Sequence, residues 1–247
     1  MISLDIIEKM SDLLFPIIES GASKFKIELP PEAEAVFGLY YEFLEERGQN
    51  VNLTALSGIE DVVRLHFLDS IALLNIIDFK NKKVIDIGSG AGFPGLPLKI
   101  AEPTIDITLL DATGKRISFL SELCSNLNLK ADFVTARAEE AAFKPELREQ
   151  FDIVVSRAVA RLNVLCELCL PFIKTDGVFL AMKGKDSDEE VNEAKTAIEA
   201  MGATLAGKED YTIPDTDIMH RVIIIKKTTS TPEKYPRRFA KIQKSPL

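Results

Sequence analysis

The chain has 247 residues, of which 46% are hydrophobic and 28% charged, and its formal net charge is −8. No uncharged apolar run approaches the roughly 20 residues needed to span a membrane, which excludes a membrane-spanning segment. Asp5, Glu8 and Lys9 interrupt the first apolar stretch, which excludes a signal peptide, so we expect a globular protein located in the cytoplasm.

Two amphipathic helices are predicted in an N-terminal helical segment, residues 1–60. The first covers residues 1–20, where apolar residues recur at helical spacing. The second begins near Pro31 and ends at about Arg47, with Gly48 as its stop signal. An apolar stripe on the second helix predicts packing against the domain that follows. The stripe consists of Val36, Phe37, Tyr40, Phe43 and Leu44.

From about residue 61 the pattern alternates between short apolar runs and helical stretches. Strands are predicted at 84–87, 105–110, 133–135, 153–155, 178–182 and 222–225. Helices are predicted near 95–101, 113–127, 160–172 and 187–201. This alternation indicates an α/β domain over residues 61–227. We expect a doubly wound, mostly parallel sheet with helices on both faces and a ligand at the carboxyl ends of the strands.

The first predicted strand leads into the sequence Asp-Ile-Gly-Ser-Gly-Ala-Gly-Phe at 86–93. Gly88, Gly90 and Gly92 allow a sharp turn and a close approach of the backbone to a ligand. The glycines at 90, 92 and 95 also match the dinucleotide fingerprint, whose pyrophosphate would meet the like charge of Asp86. That acid suits the cationic amino-acid end of S-adenosylmethionine, so the loop favours this cofactor.

A second nucleoside contact is predicted at Asp111, which closes the next strand about 20 residues after the loop. An acid at this spacing can bind both hydroxyls of a ribose. The alternative is a solvated carboxylate at the end of a strand. Both cofactors contain an adenosine ribose, so Asp111 does not distinguish S-adenosylmethionine from a dinucleotide.

Cysteines at 124, 166 and 169 lie in segments that are predicted to be apolar helices. Their odd number and apolar surroundings fit a reducing compartment. Cys166 and Cys169 form an isolated Cys-x-x-Cys pair with no second pair and no nearby histidine. A role in the core is therefore favoured over a metal site, and no metal is predicted.

The C-terminal tail, residues 228–247, lies within a strongly basic stretch. Residues 226–247 hold seven Lys or Arg residues and one acid, a net charge of +6, so the rest of the chain carries −14. A basic tail on an acidic body predicts an arm that contacts phosphates. Composition alone equally allows a disordered tail that only improves solubility. If the tail binds RNA, the predicted phosphate contacts are Lys234, Arg237, Arg238, Lys241 and Lys244.

Several short motifs occur together in a specific order. They are Asn-Leu-Thr-Ala at 52–55, His-Phe-Leu-Asp-Ser at 66–70, the glycine loop through Gly95, Lys-Arg at 115–116, Arg-Ala-Glu-Glu at 137–140, Ser-Arg-Ala-Val-Ala at 156–160, Met-Lys-Gly at 182–184 and Thr-Pro-x-x-Tyr-Pro-Arg at 231–237. With these motifs the chain resembles, almost end to end, the bacterial 16S ribosomal RNA guanine-N7 methyltransferase family of the glucose-inhibited division B type. It departs from the family pattern at Arg47-Gly48, Ala240 and Ile242.

The resemblance implies a class I methyltransferase fold, S-adenosylmethionine as cofactor, and the decoding-region hairpin of 16S rRNA or the small ribosomal subunit as partner. Implied cofactor contacts are Gly88, Phe93, Ala138, Glu139 and Arg157, which join Asp86, Gly90, Gly92 and Asp111 from the loop analysis. Implied RNA-side residues are Asn52, His66, Asp69, Lys183 and Arg221. A monomer without membrane association is the expectation.

Guanine N7 carries a lone pair and no proton, so its methylation requires no general base. The position after the fourth strand reads Ser-Arg-Ala-Val, without the Asp/Asn-Pro-Pro-Tyr/Phe motif of amine methylation. No cysteine occupies a strand-end loop, as carbon-5 pyrimidine methylation would require. We therefore expect in-line transfer without a general base or covalent intermediate, and Asp69 is the predicted stabiliser of the charge that develops on the purine.

Three other functions stay open on the sequence alone. The chain is alternatively a methyltransferase that acts on a small molecule or a protein, for which a basic tail is unnecessary. A dinucleotide-dependent reductase conflicts with Asp86 and with the lack of a Tyr-x-x-x-Lys proton relay. A non-catalytic RNA-binding protein conflicts with the intact cofactor motif.

Overall fold

A computed structural model describes residues 4–47, 58–157 and 159–247. Its centre is a seven-stranded sheet with the order β3-β2-β1-β4-β5-β7-β6. The strands are β1 (Lys83–Ile87), β2 (Asp106–Asp111), β3 (Asp132–Thr135), β4 (Phe151–Arg157), β5 (Ile173–Gly184), β6 (Ala203–Thr212) and β7 (Met219–Lys227). β1 to β5 pair in parallel, and β7 is antiparallel to both β5 and β6. The predicted doubly wound, mostly parallel sheet is confirmed.

The helices precede the sheet, connect its strands or, in the case of α11, follow the last strand. They are α1 (Leu4–Lys24), α2 (Ala33–Arg47), α3 (Ile59–Val62), α4 (Asp69–Ile71), α5 (Gly95–Ala101), α6 (Gly114–Asn126), α7 (Ala138–Ala141), α8 (Leu162–Cys169), α9 (Asp188–Glu193), α10 (Lys195–Ala200) and α11 (Phe239–Lys244). A π-helical stretch, Val63–Leu68, joins α3 to α4. None of the helices in the described ranges is long and apolar enough to cross a membrane.

Two hydrophobic clusters lie on opposite faces of the sheet. The first packs α2 and α5 against the sheet and includes Phe37, Tyr40 and Phe67, which are fully buried. The second packs α8 and α10 against the other face and includes Cys166 and Cys169. The apolar stripe of α2 therefore contacts the α/β domain, as its spacing predicts.

The strand order reverses direction at β1, whose neighbours are β2 on one side and β4 on the other. In open α/β sheets, a crevice for ligands forms where the connections leave in opposite directions. The carboxyl ends of β1 and β4 meet at this point. The first residues of antiparallel β7 reach the same edge of the sheet, because His220 pairs with Gly184 at the end of β5.

The C-terminal tail packs on the α/β domain through both polar and apolar contacts. Arg237 forms an ion pair at 2.7 Å with Glu167 of α8, whose side chain is fully buried. Arg148 donates hydrogen bonds to the carbonyl oxygens of Thr231 and Tyr235. Ile242 of α11 is also fully buried. These contacts fix the path of the backbone while most of the tail's cations remain at the surface.

Candidate active site

A cavity of about 520 Å³ lies at the sheet edge where β1, β4 and β5 end. That volume is within the range of small-molecule and cofactor sites. Its lining combines the glycine loop, one cluster of aromatic rings and several cations. The lining residues are Leu65, His66, Asp69, Gly88, Ser89, Gly90, Ala91, Phe93, Arg116, Arg157, Met182, Lys183, Gly184 and His220.

The glycine loop turns at the end of β1 and is fastened to β2. The backbone N–H groups of Gly88 and Ser89 donate to the carbonyl oxygen of Leu110 at 2.8 and 3.1 Å. Gly90 has a φ of +58°, and a Cβ built there would meet only the Gly88 carbonyl at 3.8 Å. The loop therefore presents bare backbone at Gly90, with open space for a ligand above it.

Asp86 lies beneath this loop and does not line the cavity. It is fully buried, and its Oδ2 accepts a hydrogen bond from the Gly95 N–H at 2.9 Å. Burial raises the pKa of its carboxyl group to about 8. The sequence-based assignment of Asp86 to the cofactor's ammonium group therefore stays a prediction. The carboxyl group lies under the loop, and its Oδ1 has no hydrogen-bond partner among the described residues.

Asp111 ends β2 beside the loop, at the place the sequence spacing predicts. Its carboxylate accepts hydrogen bonds from the N–H groups of Gly90 and Thr113 and from Arg116 Nη1, at 2.8 to 3.2 Å. These donors hold the carboxylate at the cavity edge, next to Gly90. Ala138 and Glu139 follow β3, the strand beside β2, and neither lines the cavity. Glu139 instead lines a groove that the tail forms with α7.

Phe93 is the centre of a stack of flat groups on the other wall. The Tyr40 ring stacks on one side of it at 5.4 Å, and the His66 ring stacks on it at 4.6 Å. The guanidinium of Arg157 also lies over the Phe93 ring, at 5.1 Å. The Tyr40 hydroxyl donates to the Ala91 carbonyl at 2.7 Å, so α2 is fixed directly to the loop.

Asp69 is the hub of a hydrogen-bond network that joins four elements. Its Oδ2 accepts from Arg157 Nη1 of β4 at 3.0 Å. Its Oδ1 accepts from the Tyr211 hydroxyl of β6 and from His220 Nδ1 of β7, both at 2.6 Å. Burial alone raises the pKa of the Asp69 carboxyl, but the bond from His220 and the charge of Arg157 outweigh it and leave that pKa below its usual value. Asp69 is therefore ionised, with both oxygens occupied.

His66 and Asp69 both contact Arg157. Arg157 was assigned to the cofactor, and the structure places it between these two residues, with a further bond to the Leu65 carbonyl. Lys183 lines the cavity where β5 ends, and its Nζ contacts the Ala160 carbonyl and Glu190. Asn52 falls outside the described residues.

Arg221 does not line the cavity, and its neighbour His220 does. Side chains alternate between the faces of a strand, so the two residues project to opposite sides of β7. Arg221 forms ion pairs with Asp210 and Asp188 on the far side. His220 therefore belongs to the cavity lining and Arg221 does not, and the role of Arg221 toward RNA stays a prediction from the resemblance.

Sequence reasoning missed Tyr40, Tyr211 and His220 as members of this site. Tyr40 was treated only as core, since its position in the apolar stripe of α2 gives no sign of its hydroxyl bond to the loop. Tyr211 belongs to β6, which was not predicted. The one available signal was strand alternation in β7, which separates His220 from Arg221. In the described ranges, no group of three His, Cys, Asp or Glu side chains is placed to hold a metal ion.

Comparison with known proteins identifies the family. A family model described as "rRNA small subunit methyltransferase G" matches residues 33–213. The chain belongs to this family. A ribosomal RNA small subunit methyltransferase G from Acetivibrio thermocellus is 46% identical over 232 residues, which cover 94% of this chain and 96% of the relative. One from Lactobacillus johnsonii is 43% identical over 94% of this chain and 98% of its own length.

Solved structures support the fold of this family member. A branched-chain polyamine synthase from Thermus thermophilus aligns with a TM-score of 0.61 at 14% identity, over 85% of this chain and 67% of the synthase. The predicted family, α/β fold, enzyme class and cofactor are thus confirmed, and the protein is an S-adenosylmethionine-dependent methyltransferase. The site fits that cofactor, since the approach to Gly90 is open and the Asp111 carboxylate lies beside it.

The free energy of unfolding of the methyltransferase is expected to depend on pH through His220. The hydrogen bond to Asp69 raises the pKa of His220, against the effect of burial and the charge of Arg157. Tyr211 also faces this pair, and burial keeps its hydroxyl protonated. Because the folded pKa lies above the unfolded one, the stabilisation is complete below about pH 6.5 and is lost as pH rises through the folded pKa.

We therefore expect the stability difference between the wild type and the non-titrating variant His220→Gln to be largest below about pH 6.5 and to shrink as the pH rises through the raised pKa of His220 in the folded protein. Urea unfolding of both proteins across this range measures the difference. A difference that stays constant with pH would show that His220 is not charged by Asp69 in the folded protein.

Proposed function

We propose that the protein transfers the methyl group of S-adenosylmethionine to N7 of a guanine in 16S rRNA of the small ribosomal subunit. The observation that carries this proposal is the cavity itself, in a member of the small-subunit rRNA methyltransferase G family. One wall is the glycine loop, and the facing wall is the buried network around Asp69. A cofactor and a purine would meet between these two walls.

The cofactor side is assigned to the loop and the ends of β2 and β3. Gly88 and Gly90 line the cavity and are proposed to give backbone access. Gly92 has the proposed role of the close-packed glycine of the loop, where a Cβ would meet Tyr40 and Leu96. Asp111 is proposed to bind the ribose hydroxyls. When bound, S-adenosylmethionine supplies an electrophilic methyl group. Phe93 contributes a wall of the cavity, and Ala138 and Glu139 are proposed to border the adenine. Arg157 contributes indirectly, since its guanidinium is held by His66 and Asp69.

The RNA side is assigned to His66, Lys183 and His220. Asp69 is 1% exposed and has both oxygens occupied, so it positions Arg157 and His220 and does not touch the base. The buried Asp69 carboxylate is therefore proposed to offset the positive charge of Arg157 and His220 beside the purine, on which positive charge develops. Asn52 remains a proposed member of this side from the resemblance alone.

The reaction requires no proton acceptor and no protein nucleophile. N7 is unprotonated, so holding it in line with the methyl group is the main task, and orientation can supply on the order of 7–11 kcal/mol. Cys124, Cys166 and Cys169 are buried in the hydrophobic clusters, and none lines the cavity. Burial raises the pKa of the Cys124 thiol to about 12 and also raises those of the other two.

The target guanine must leave its stack to reach the cavity, because N7 of a stacked base cannot approach the loop closely.

We propose that the enzyme acts in the cytoplasm as a monomer, with an N-terminal helical segment (1–60), a cofactor domain (61–227) and a basic tail (228–247). The direct test is mass mapping of modified bases in 16S rRNA from cells with and without the gene. Loss of one 7-methylguanine supports the proposal, and an unchanged map contradicts it.

The tail is proposed to contact RNA phosphates. Lys234, Arg238, Lys241 and Lys244 are exposed, and the first two line a groove of about 850 Å³ beside α7. Phe143, an exposed aromatic ring, borders the same groove. Cations next to an exposed ring are typical of single-stranded RNA contacts. Arg237 leaves the predicted set of phosphate contacts, because it already pairs with buried Glu167.

Replacing Lys234, Arg238, Lys241 and Lys244 with Ala is expected to weaken RNA binding and to lower its salt dependence. The slope should fall by about 0.7–0.9 for each phosphate that the variant no longer binds. Affinity for S-adenosylhomocysteine should not change, which gives the internal control. A full salt slope in the variant would contradict the phosphate contacts and leave the tail as a segment that only improves solubility.

A further inference from the structure

The tautomer of His66 is determined by its neighbour. Arg157 Nη2 lies 2.9 Å from Nδ1 of His66. A guanidinium can only donate hydrogen bonds, so Nδ1 must accept one and the imidazole proton must be on Nε2. Arg157 is itself held by Asp69 and the Leu65 carbonyl. His66 therefore presents a donor, and no acceptor, at Nε2.

That donor has no hydrogen-bond partner among the residues that the structure describes. The Nε2 atom is inaccessible to solvent, while the His66 side chain lines the cavity. Buried donors are normally paired, so the unpaired donor of a residue at the cavity wall calls for an acceptor that the described residues do not supply. Burial, reinforced by the charge of Arg157, lowers the pKa of His66 to about 4. The ring is therefore neutral at physiological pH.

We propose that His66 Nε2–H donates a hydrogen bond to O6 of the target guanine and so selects guanine over adenine. The inference rests on the proposed function, since it specifies how the same cavity recognises its base. Guanine presents two acceptors, N7 and O6, on the edge that is methylated, whereas adenine presents a donor at N6 beside N7. A donor at His66 faces the N6 donor of adenine unfavourably, and Arg157 prevents the tautomer change that would relieve the conflict.

The other cations of the cavity fit this role less well. Lys183 Nζ already contacts the Ala160 carbonyl and Glu190. Both Nη atoms of Arg157 already donate, and Arg116 pairs with Asp111. The bond from Nδ1 of His220 to Asp69 raises the pKa of His220, so this ring carries more positive charge than His66. Methylation also places positive charge on the purine, so a neutral donor reads O6 without repelling the product. Arg157 is accordingly a positioning residue, and His66 is the residue that touches the base.

The test compares guanine with 2-aminopurine, which lacks O6, at the target position of 16S rRNA assembled into small subunits. Wild-type kcat/KM should be roughly 10- to 100-fold lower for 2-aminopurine than the intrinsic reactivity difference predicts. His66→Phe keeps a flat ring over Phe93 and removes the donor. In that variant, the penalty on 2-aminopurine should disappear while guanine methylation falls by a similar factor.

His66→Gln keeps a donor and should retain part of the preference for guanine. S-adenosylhomocysteine affinity and the melting temperature of each variant show whether it is folded and binds cofactor. If His66→Phe keeps the wild-type ratio between guanine and 2-aminopurine, the assignment of His66 is wrong. If the wild type forms no 7-methylguanine at all, the proposed function fails instead, so the two failures are distinguishable.

Discussion

Gly90→Val is expected to remove measurable cofactor binding while the protein stays folded. A Cβ at Gly90 meets only the Gly88 carbonyl at 3.8 Å, so the added methyl groups extend into the open space of the cavity. They occupy the surface that the cofactor must approach. We expect affinity for S-adenosylmethionine to fall at least about 100-fold, equivalent to about 2.8 kcal/mol. Isothermal calorimetry measures the affinity.

The control must carry the same backbone strain without the obstruction. Asn128, after α6, has a φ of +52°, close to the +58° of Gly90, and does not line the cavity. Valine at a left-handed position costs on the order of 1–3 kcal/mol in either place. Asn128→Val should therefore lower the melting temperature about as much as Gly90→Val, with normal affinity. An equal fall in affinity in the two variants would attribute the effect to strain.

Arg237→Ala is expected to be the most destabilising single change in the tail. Its guanidinium and backbone N–H make four hydrogen bonds to Glu167, whose side chain is fully buried in α8. Removing the guanidinium leaves a buried carboxylate with only the backbone donor. Breaking a buried ion pair in this way costs about 3–5 kcal/mol. Urea unfolding measures this change in the free energy of unfolding.

Arg238→Ala is the matched control, since it removes an adjacent but exposed cation and should change stability by no more than about 0.5 kcal/mol. Adding Glu167→Gln to Arg237→Ala should recover part of the stability, because the uncompensated charge is then absent. If Arg237→Ala unfolds no more easily than Arg238→Ala, the buried pair does not hold the tail on α8. In that case Arg237 would return to the set of proposed phosphate contacts.

The central strands of the sheet could be predicted from the sequence. β1, β2, β4 and β5 each contain a short, mostly apolar segment, as expected of parallel strands covered by helices on both faces. β6 was missed because it lies at the edge of the sheet and carries Lys208, Glu209 and Asp210 at successive positions. Antiparallel pairing with the following strand, β7, makes this segment a strand. The residue pattern of the segment itself does not indicate that pairing.

The sequence motifs indicate which residues meet at the site, but not on which side of a loop or strand each side chain lies. The motifs placed His66, Asp69, Phe93 and Lys183 at one cavity, because strand ends and loops converge there. Sequence spacing gives the position of Asp86 along the chain but not the side of the loop on which its carboxylate lies. A helix–strand junction decides that side, because the Asp86 carboxylate accepts the Gly95 N–H. Whether His220 or Arg221 lines the cavity likewise depends on the register of β7 in the sheet, which the sequence alone does not give.

The contact between Tyr40 and the glycine loop limits which substitutions the enzyme can accept in the course of evolution. The hydroxyl of Tyr40 binds the Ala91 carbonyl, and its ring covers Phe93, so a helix outside the α/β domain shapes the backbone that approaches the cofactor. The helix and the loop must therefore evolve as a matched pair. In a chimera of two family members, the N-terminal helices and the segment 91–93 have to come from the same parent.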